Sequence, residues 1–352
     1  MKISKEEMIK FKVFLRTHPE VAHDLATSNL AVFMAFYLSH LFQHRPGIMQ
    51  LFMMRDTEEL EPRHLLAPTY PESYGEEIFL YANVLWSVLG RRKFTNCTIV
   101  CGTREKAREV YEKLLKELLE NKEIAKFNHG VTKATCDGWN IYLPGRNARI
   151  SVLSFPIIPY RIRHRRRSPE LLICTGFENI PADTREIIKW LEKNVYSKDV
   201  YYEKTILYGG AYDLFEKIKD DLHSKWWKGH RPSLEAYPLF SEDGSCFWDT
   251  RFSEEEIEKL WEGFDDPKWQ KKYLLHTIHR HKVPKKYFAE DGTCDAKAYL
   301  NDLTQEKDHE NFFERILLEV DLEHPADTIT ILAGHYTYYG IGRVAVFEPI
   351  ED

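Results

Sequence analysis

"HLLAPTYPESYGEEIFLYANVLWSVLG", His64 to Gly90, runs from a short apolar segment through a polar loop into a segment that starts with two acids and continues with an apolar face. That order is the layout of a phosphate-binding loop set between a buried strand and a helix. In such a loop glycines let backbone N–H groups converge on phosphates, a lysine brings charge to the β and γ oxygens, and a hydroxyl holds magnesium. Counted from Pro68, Ser73 takes the hydroxyl's place, Glu72 falls at the lysine position, and Tyr70 and Pro71 stand where glycine is expected. Proline removes a donor N–H. A carboxylate about 4 Å from a phosphate oxygen repels it by roughly 1 kcal/mol in water and several-fold more in a partly buried site. No Gly-Lys pair occurs anywhere in the chain, so the loop has not simply been misplaced. Taken alone, the stretch reads equally as an ordinary strand–turn–helix connection, with Glu76 and Glu77 favourable near a helix N-terminus.

Composition bounds the remaining choices. The 352 residues are 43% hydrophobic and 13% aromatic, enough apolar material for one large domain or two of ordinary size. No run approaches the roughly 18 to 20 apolar residues of a membrane span, and the start "MKISKEEM" lacks the basic-then-apolar plan of a secretory signal. A cytoplasmic protein with no membrane partner is the expectation. Six cysteines, several inside apolar runs, suit reduced core thiols better than a disulfide framework. A net charge of -6 and a pI near 6.2 argue against a chain coated in nucleic acid, while leaving room for a local basic patch.

Along the chain, residues 1–60 have apolar positions at helical spacing, through "EEMIKFKVFLRT" and "NLAVFMAFYLSHLFQH", with a loop around His18, Pro19 and Glu20. Strand and helix signals then alternate. "TNCTIVCGT" is β-rich, and Thr103 can cap the helix "REKAREVYEKLLKELLENKEIAKF". "WNIYLP" and "ARISVLSFPII" read as a hairpin joined at Pro144-Gly145-Arg146-Asn147. "ELLICTGF" and "EKTILYGGA" are further strands, with the helix "ADTREIIKWLEKNVY" opened by Pro181 between them. Strands that are apolar throughout and alternate with helices predict an α/β fold with a mainly parallel sheet flanked by helices. Beyond Ser253 come two acid-capped helices, "SEEEIEKLWEGF" and "PKWQKKYLLHTIHRHK", a polar stretch, and a closing segment that reads as two or three strands in a meander.

These pieces, in this order, resemble the ATPase half of large terminase subunits, the motors that package DNA into viral capsids. The likeness runs in order from about residue 20 to about residue 280, through "HDLATSNLAVFMAFYLSHLF", the loop after "LLAP", "PELLICTGFEN", "TILYGGAYD" and "WDTRFSEEEIEKLWEGFDDPKWQKKYLL". The resemblance implies a P-loop NTPase-like core that uses ATP and Mg2+, oligomerises as a motor, and works on double-stranded DNA with portal, capsid or small terminase subunit as partners. It also implies paired aspartates after the second strand, where this chain has Thr175 and Gly176, and a glutamate just beyond, matched by Glu178 as a relic general base. Gly209, Gly210 and Ala211 stand where terminases often carry a polar sensor residue. Departures at three separated places predict a chain that turns over ATP poorly or not at all. Its expected organisation is a helical lead at 1–60, the ATPase-like core at 61–252, a helical bridge and linker at 253–312, and the start of a ribonuclease-H-like nuclease at 313–352.

Three further clusters carry chemistry. "YRIRHRRRSPE" puts Arg161, Arg163, Arg165, Arg166 and Arg167 within seven residues, where terminases carry an arginine-containing loop. Such a loop can grip phosphates, reach a neighbouring subunit or bind an acidic partner, or it can be a solvated connection. Together with Trp226-Trp227-Lys228-Gly229-His230-Arg231 it is the first place to look for DNA contacts. His276 and His279 could share a helical face with His281 nearby, yet no acid or cysteine completes a metal site. In the closing segment, Asp321 and Asp327 match the first metal-binding positions of the nuclease, whose chemistry needs two or more further acids. Two functional classes follow: a large-terminase-like protein of DNA packaging with degenerate nucleotide motifs, or a non-catalytic scaffold that reuses the motor fold to dock on DNA, portal, capsid or an active motor subunit.

Overall fold

The computed structural model describes residues 17–61, 63–127, 135–137, 139–155, 169–180, 184–196, 201–210, 214–215, 217–218, 232–241, 244–275, 277–283, 285–287, 330–332, 335–337 and 343–349. Contacts divide the chain into two units, 1–241 with 245–257, and 242–244 with 258–352.

The first unit opens with α1 (Pro19–Ser28), α2 (Leu30–Tyr37) and α3 (Ile48–Glu58). Pro19 lies in the first turn of α1, where a missing N–H costs no helical bond, so the loop expected around His18, Pro19 and Glu20 narrows to His18. The side chain of Asn29 accepts from Val32 N at 3.0 Å and starts α2 directly after α1. There follow β1 (His64–Pro68) and then α4, which is π-helical over Glu76–Ala82 before becoming α-helical over Asn83–Leu89. Next come β2 (Asn96–Cys101), α5 (Arg104–Glu120) and α6 (Lys122–Phe127). Thr103 caps α5 through its hydroxyl, which accepts from Lys106 N at 3.2 Å. The long helix expected here breaks at Asn121, whose side chain accepts from Glu123 N and Ile124 N and so starts α6 instead of continuing α5.

The core is completed by β3 (Thr135–Asp137), β4 (Asn140–Leu143), β5 (Ala148–Ser154), β6 (Leu171–Thr175), α7 (Thr184–Asn194), β7 (Lys204–Gly209) and β8 (Ser233–Leu234). The expected hairpin is present: β4 and β5 pair antiparallel across Pro144–Arg146, and Asn147 closes the turn at φ +50°. One sheet of eight strands results, ordered β3-β4-β5-β2-β6-β7-β1-β8, parallel from β5 to β8. The fold is therefore α/β, a mainly parallel sheet flanked by helices.

The two faces of the sheet explain why its central strands are apolar without interruption. Leu65, Ala67, Ile99, Ile173 and Ile206 point to a core shared with α2, α4 and α5. Their neighbours Leu66, Val100, Leu172 and Leu207 point the other way, onto Ile187, Ile188 and Leu191 of α7. Each such side chain stabilises the fold by roughly 1.5–3 kcal/mol on burial. A buried lysine and a half-buried arginine anchor the helical lead to this sheet. Lys204 Nζ donates to Asp56 O at 2.8 Å and Arg92 Nη2 donates to Glu58 O at 2.7 Å, satisfying carbonyls at the end of α3 that have no helical partner. Burial, with Arg92 adding to it, pushes the Lys204 pKa down to about 8.

α8 (Glu254–Trp261) begins in the first unit and ends in the second. Within the second unit, α9 (Pro267–Tyr273) is capped by Asp266 and carries Trp269, whose ring meets those of Trp261 and Phe264 at 5.5 and 6.0 Å. The helix expected to run on through Lys282 stops at Tyr273, and Leu275 turns the chain at φ +62°. Thr277 to Val283 form a strand, β9, in register with β12 (Arg343–Pro349). His279 and His281 therefore lie on a strand rather than on the helical face that a pairing with His276 required, and His276 is outside the described residues. β10 (Thr330–Leu332), β11 (His335–Thr337) and β12 form the expected antiparallel meander, in a four-stranded sheet ordered β10-β11-β12-β9. Asp321 and Asp327 lie outside the described residues. Among the described residues no helix is long and apolar enough to cross a membrane.

At the ends of β2 and β6 two backbones touch. Gly102 N donates to Thr175 O at 2.8 Å, and a Cβ on Gly102 would lie 1.9 Å from the carbonyl oxygen of Gly176. Gly102→Ala must therefore spread two adjacent strand ends, and a loss of roughly 3 kcal/mol in urea unfolding is expected. A change below about 0.5 kcal/mol would contradict this contact.

Candidate functional site

Strands β2, β6, β7 and β1 end side by side, and the segments leaving them enclose a cleft of about 430 Å³. Open α/β sheets take their ligands at such carboxyl ends. The loop 69–75 forms one wall. Its start is fixed by Thr69 N, which donates to Gly209 O at 2.8 Å, and Pro68 belongs to the sheet, its carbonyl accepting from Tyr237 N at 3.0 Å.

The loop turns without glycine where it bends most. Glu72 and Tyr74 adopt φ of +63° and +62°, a left-handed backbone that costs a residue with a side chain about 1–2 kcal/mol. Packing holds it there. Gln50 of α3 donates to Tyr70 Oη at 3.0 Å and to Ser73 O at 3.1 Å. The Trp248 ring meets those of Tyr70 and Tyr74 edge-on at 6.4 and 4.8 Å. Tyr70 thus stands at a glycine position as a core side chain, 2% exposed. Ser73 is 3% exposed and its hydroxyl accepts from Gly75 N at 3.2 Å, which folds it onto its own loop.

Glu72 does not stand as an unpaired anion. Its carboxylate forms an ion pair with Arg251, and its carbonyl accepts from the same guanidinium, from Nη1 at 3.0 Å. Arg251 packs against the rings of both Trp248 and Phe252, each centroid 4.8 Å from Cζ. The repulsion expected of Glu72 toward a phosphate is accordingly softened. The cation that offsets it lies 179 residues away in sequence and had no local signal.

The cationic side chain that reaches into the cleft from α5 is Lys106, which the sequence reading missed. Its position was legible in one respect: it is the third helical residue after the cap Thr103, one turn above the end of β2. Lys106 Nζ donates to Glu76 Oε2 at 2.6 Å and reaches Glu109 Oε2 at 3.2 Å, and Tyr81 donates to Glu76 Oε1 at 2.7 Å. Burial alone would raise the Glu76 pKa, but the Lys106 and Tyr81 hydrogen bonds outweigh it and hold the carboxyl below its ordinary value. Burial likewise works against the Lys106 charge, and the bond to Glu76 overcomes it, so the ammonium pKa is raised. Glu77 lies 3.7 Å from Lys113 and is raised by burial.

After β6 the chain passes through Thr175, 4% exposed, and Gly176, whose φ of +68° is a left-handed backbone that glycine adopts freely. Glu178 follows. Its residue surface is open to water, yet its carboxylate leans on β7 so closely that a Cβ on Gly209 would lie 2.6 Å from Oε2. That desolvation raises the Glu178 pKa, and hydrogen bonds from the Glu178 and Gly210 N–H groups and the charge of Lys106 restrain the rise. Gly209, where the resemblance implied a polar sensor, leaves room for this carboxylate, and Gly210 supplies an N–H to it.

Two groups that could serve a nucleotide are engaged within the protein: Ser73 Oγ accepts from Gly75 N, and Lys106 Nζ donates to Glu76 and Glu109. Among the described residues no group of three His, Cys, Asp or Glu side chains could hold a metal ion by itself. Arg161, Arg163, Arg165, Arg166 and Arg167, and the stretch Trp226 to Arg231, lie outside the described residues.

No family model and no curated protein matches the chain. Among solved structures it is similar to the large terminase of bacteriophage HK97, at 16% identity and a TM-score of 0.43, over 65% of this chain and 49% of that one. The match thus spans about half the length of the HK97 protein. It is also similar to the large terminase ATPase domain of Thermus phage P74-26, at 12% identity and a TM-score of 0.39, over 65% of this chain and 92% of that one. Likeness at this level transfers no residue's role, and the chemistry of the cleft rests on this chain's own side chains.

Glu178 offers a test by pH. Its folded pKa lies above the ordinary 4.5, so the folded state binds the proton more tightly and loses stability as pH rises from 4.5 through the folded value. Glu178→Gln is expected to unfold at higher denaturant than the parent at pH 7, the difference closing as pH falls below 4.5. Equal midpoints at pH 7 would remove the strained carboxylate from the picture.

Proposed function

We propose that the chain is a terminase-like protein of viral DNA packaging whose nucleotide cleft is catalytically silent and whose ATPase-type fold serves as a docking scaffold. One observation carries the silent cleft. Among the described residues, Lys106 in the cleft and Arg251 beside its loop are committed to Glu76 and Glu72 by direct ion pairs. A triphosphate entering the cleft would compete with carboxylates held at bonding distance and would meet Glu178 as well. The packaging role rests on the sequence order of helical lead, loop, strands and tryptophan-led acidic helix, together with the α/β frame that those pieces build. Double-stranded DNA, portal, capsid or an active motor subunit are the partners this reading names, and an oligomer follows if it sits in a motor ring.

The alternative within the same reading is a working motor subunit that draws a missing cation from a neighbour, as the arginine-rich stretch Arg161 to Arg167 would allow in sequence terms.

Calorimetric titration of the purified chain with Mg2+ and ATP decides between them. No saturable heat up to about 1 mM and no release of phosphate are expected. Glu72→Lys combined with Thr175→Asp restores one cation and one metal-binding acid, and should strengthen nucleotide binding about tenfold or more. Micromolar binding by the unaltered chain would overturn the silent cleft, and phosphate release only on mixing with a partner chain would favour the shared motor.

A further inference from the structure

The loop 69–75 is bent against the preference of its own residues, and what bends it comes from a distant part of the chain. Two non-glycine residues in three, Glu72 and Tyr74, sit in the left-handed region. The segment 247–252 lies over them. Phe247 O accepts from Ile48 N at 3.3 Å, Trp248 Nε1 donates to Arg45 O at 2.6 Å, and Trp248, 1% exposed, packs on Tyr74. This strap presents Arg251, 17% exposed, with its guanidinium packed against the Trp248 and Phe252 rings. It grips Glu72 twice, at the carboxylate and at the carbonyl. The carbonyl contact matters most, because it fixes the peptide plane that follows the left-handed residue. Glu72 itself is 74% exposed and touches water on its other side, so an ion pair is not needed to satisfy a buried charge. Its evident consequence is conformational.

We propose that the Arg251–Glu72 clasp is a latch, a positioning contact that holds the cleft loop in a strained closed form and whose opening lets the loop relax. Arg251 is the residue suited to this work. Its planar fork presents donors to two oxygens of one residue at once in a fixed geometry while packed against aromatic rings, a rigidity that a compact ammonium lacks. The helix that follows the loop begins with π-helical turns over Glu76–Ala82, and π turns mark places where a helix absorbs an irregular entry. The inference stands whether or not a nucleotide binds.

Hydrogen exchange of the full chain, read by mass spectrometry over the peptide spanning 69–78, tests it. Arg251→Gln and Glu72→Gln are each expected to speed exchange there about tenfold, with peptides from β2 and β6 unchanged as the control for folding. Glu72→Gly is the discriminating variant. It removes the carboxylate but also the side chain that makes φ +63° costly, so its loop should exchange more slowly than that of Glu72→Gln. Loop exchange within twofold of the parent in Arg251→Gln would overturn the latch. So would Glu72→Gly exchanging as fast as Glu72→Gln, because strain would then play no part.

Discussion

Because β1, β2, β6 and β7 are covered by side chains on both faces, their backbone N–H and C=O groups have only each other for partners, and the strand order cannot be changed piecemeal. This order places β7 between β1 and β6. The loop after β1 and the turn after β6 are thus held apart by one strand width, with Gly209 and Gly210 between them. The cleft is a by-product of that spacing. The same pairing brings Gly102 against Gly176 at the ends of β2 and β6, where a glycine is needed on one side for contact and on the other for a left-handed turn. The position read in sequence as a lost acid is thus one where the turn takes a left-handed backbone that glycine adopts freely.

The electrostatics of the cleft follow from pairs, not from counts. Four glutamates border it, Glu72, Glu76, Glu77 and Glu178, and a tally of charge would call it strongly repulsive. Three of them lie within 4 Å of a basic nitrogen, from Arg251, Lys106 and Lys113 respectively. Glu178 alone is held chiefly by backbone N–H groups, and its pKa is raised while that of Glu76 is lowered. Two carboxyls in one cleft are thus pushed in opposite directions by burial and hydrogen bonding. The cleft offers a ligand little free charge of either sign.

Much of the frame could be read from the chain because its signals are local. Unbroken apolar runs such as "LLICT" mean a strand buried on both faces, and Thr103 announces a helix because a hydroxyl at that point can take an orphan N–H. The run "HTIHRHK" misled for the same reason. Its apolar and basic residues continue the helical pattern of α9, and only pairing with β12, more than sixty positions further on, makes it a strand. The cleft was legible in outline at Glu72, Ser73, Thr175, Gly176 and Glu178, which all border it. What neutralises it was not, since Arg251 meets Glu72 and Lys106 meets Glu76 across separations that leave no periodicity to detect. Lys204 and Arg92, bonded to carbonyls at the end of α3, escaped notice likewise, because charged residues inside a strand and a turn look like surface until the carbonyls they satisfy are in view.

The inward engagement of the loop bears on what a silent cleft would be for. A loop built to receive phosphate keeps its N–H groups and its hydroxyl turned outward, unsatisfied until the ligand arrives. Here Tyr70 is sealed against Gln50 and Trp248, Ser73 is bonded to Gly75, and Glu72 is clasped by Arg251, so the loop's polar groups are spent within the protein. The Tyr70 and Glu72 contacts tie the loop after β1 to α3 and to the strap 247–252, while the Ser73 bond holds the loop to itself. The residues that depart from a nucleotide motif are therefore the ones that join separate parts of the first unit, and replacing them to recover nucleotide chemistry would loosen the frame. A scaffold gains rigidity from that arrangement, whereas a motor that must cycle its loop between bound and empty forms would be slowed by it.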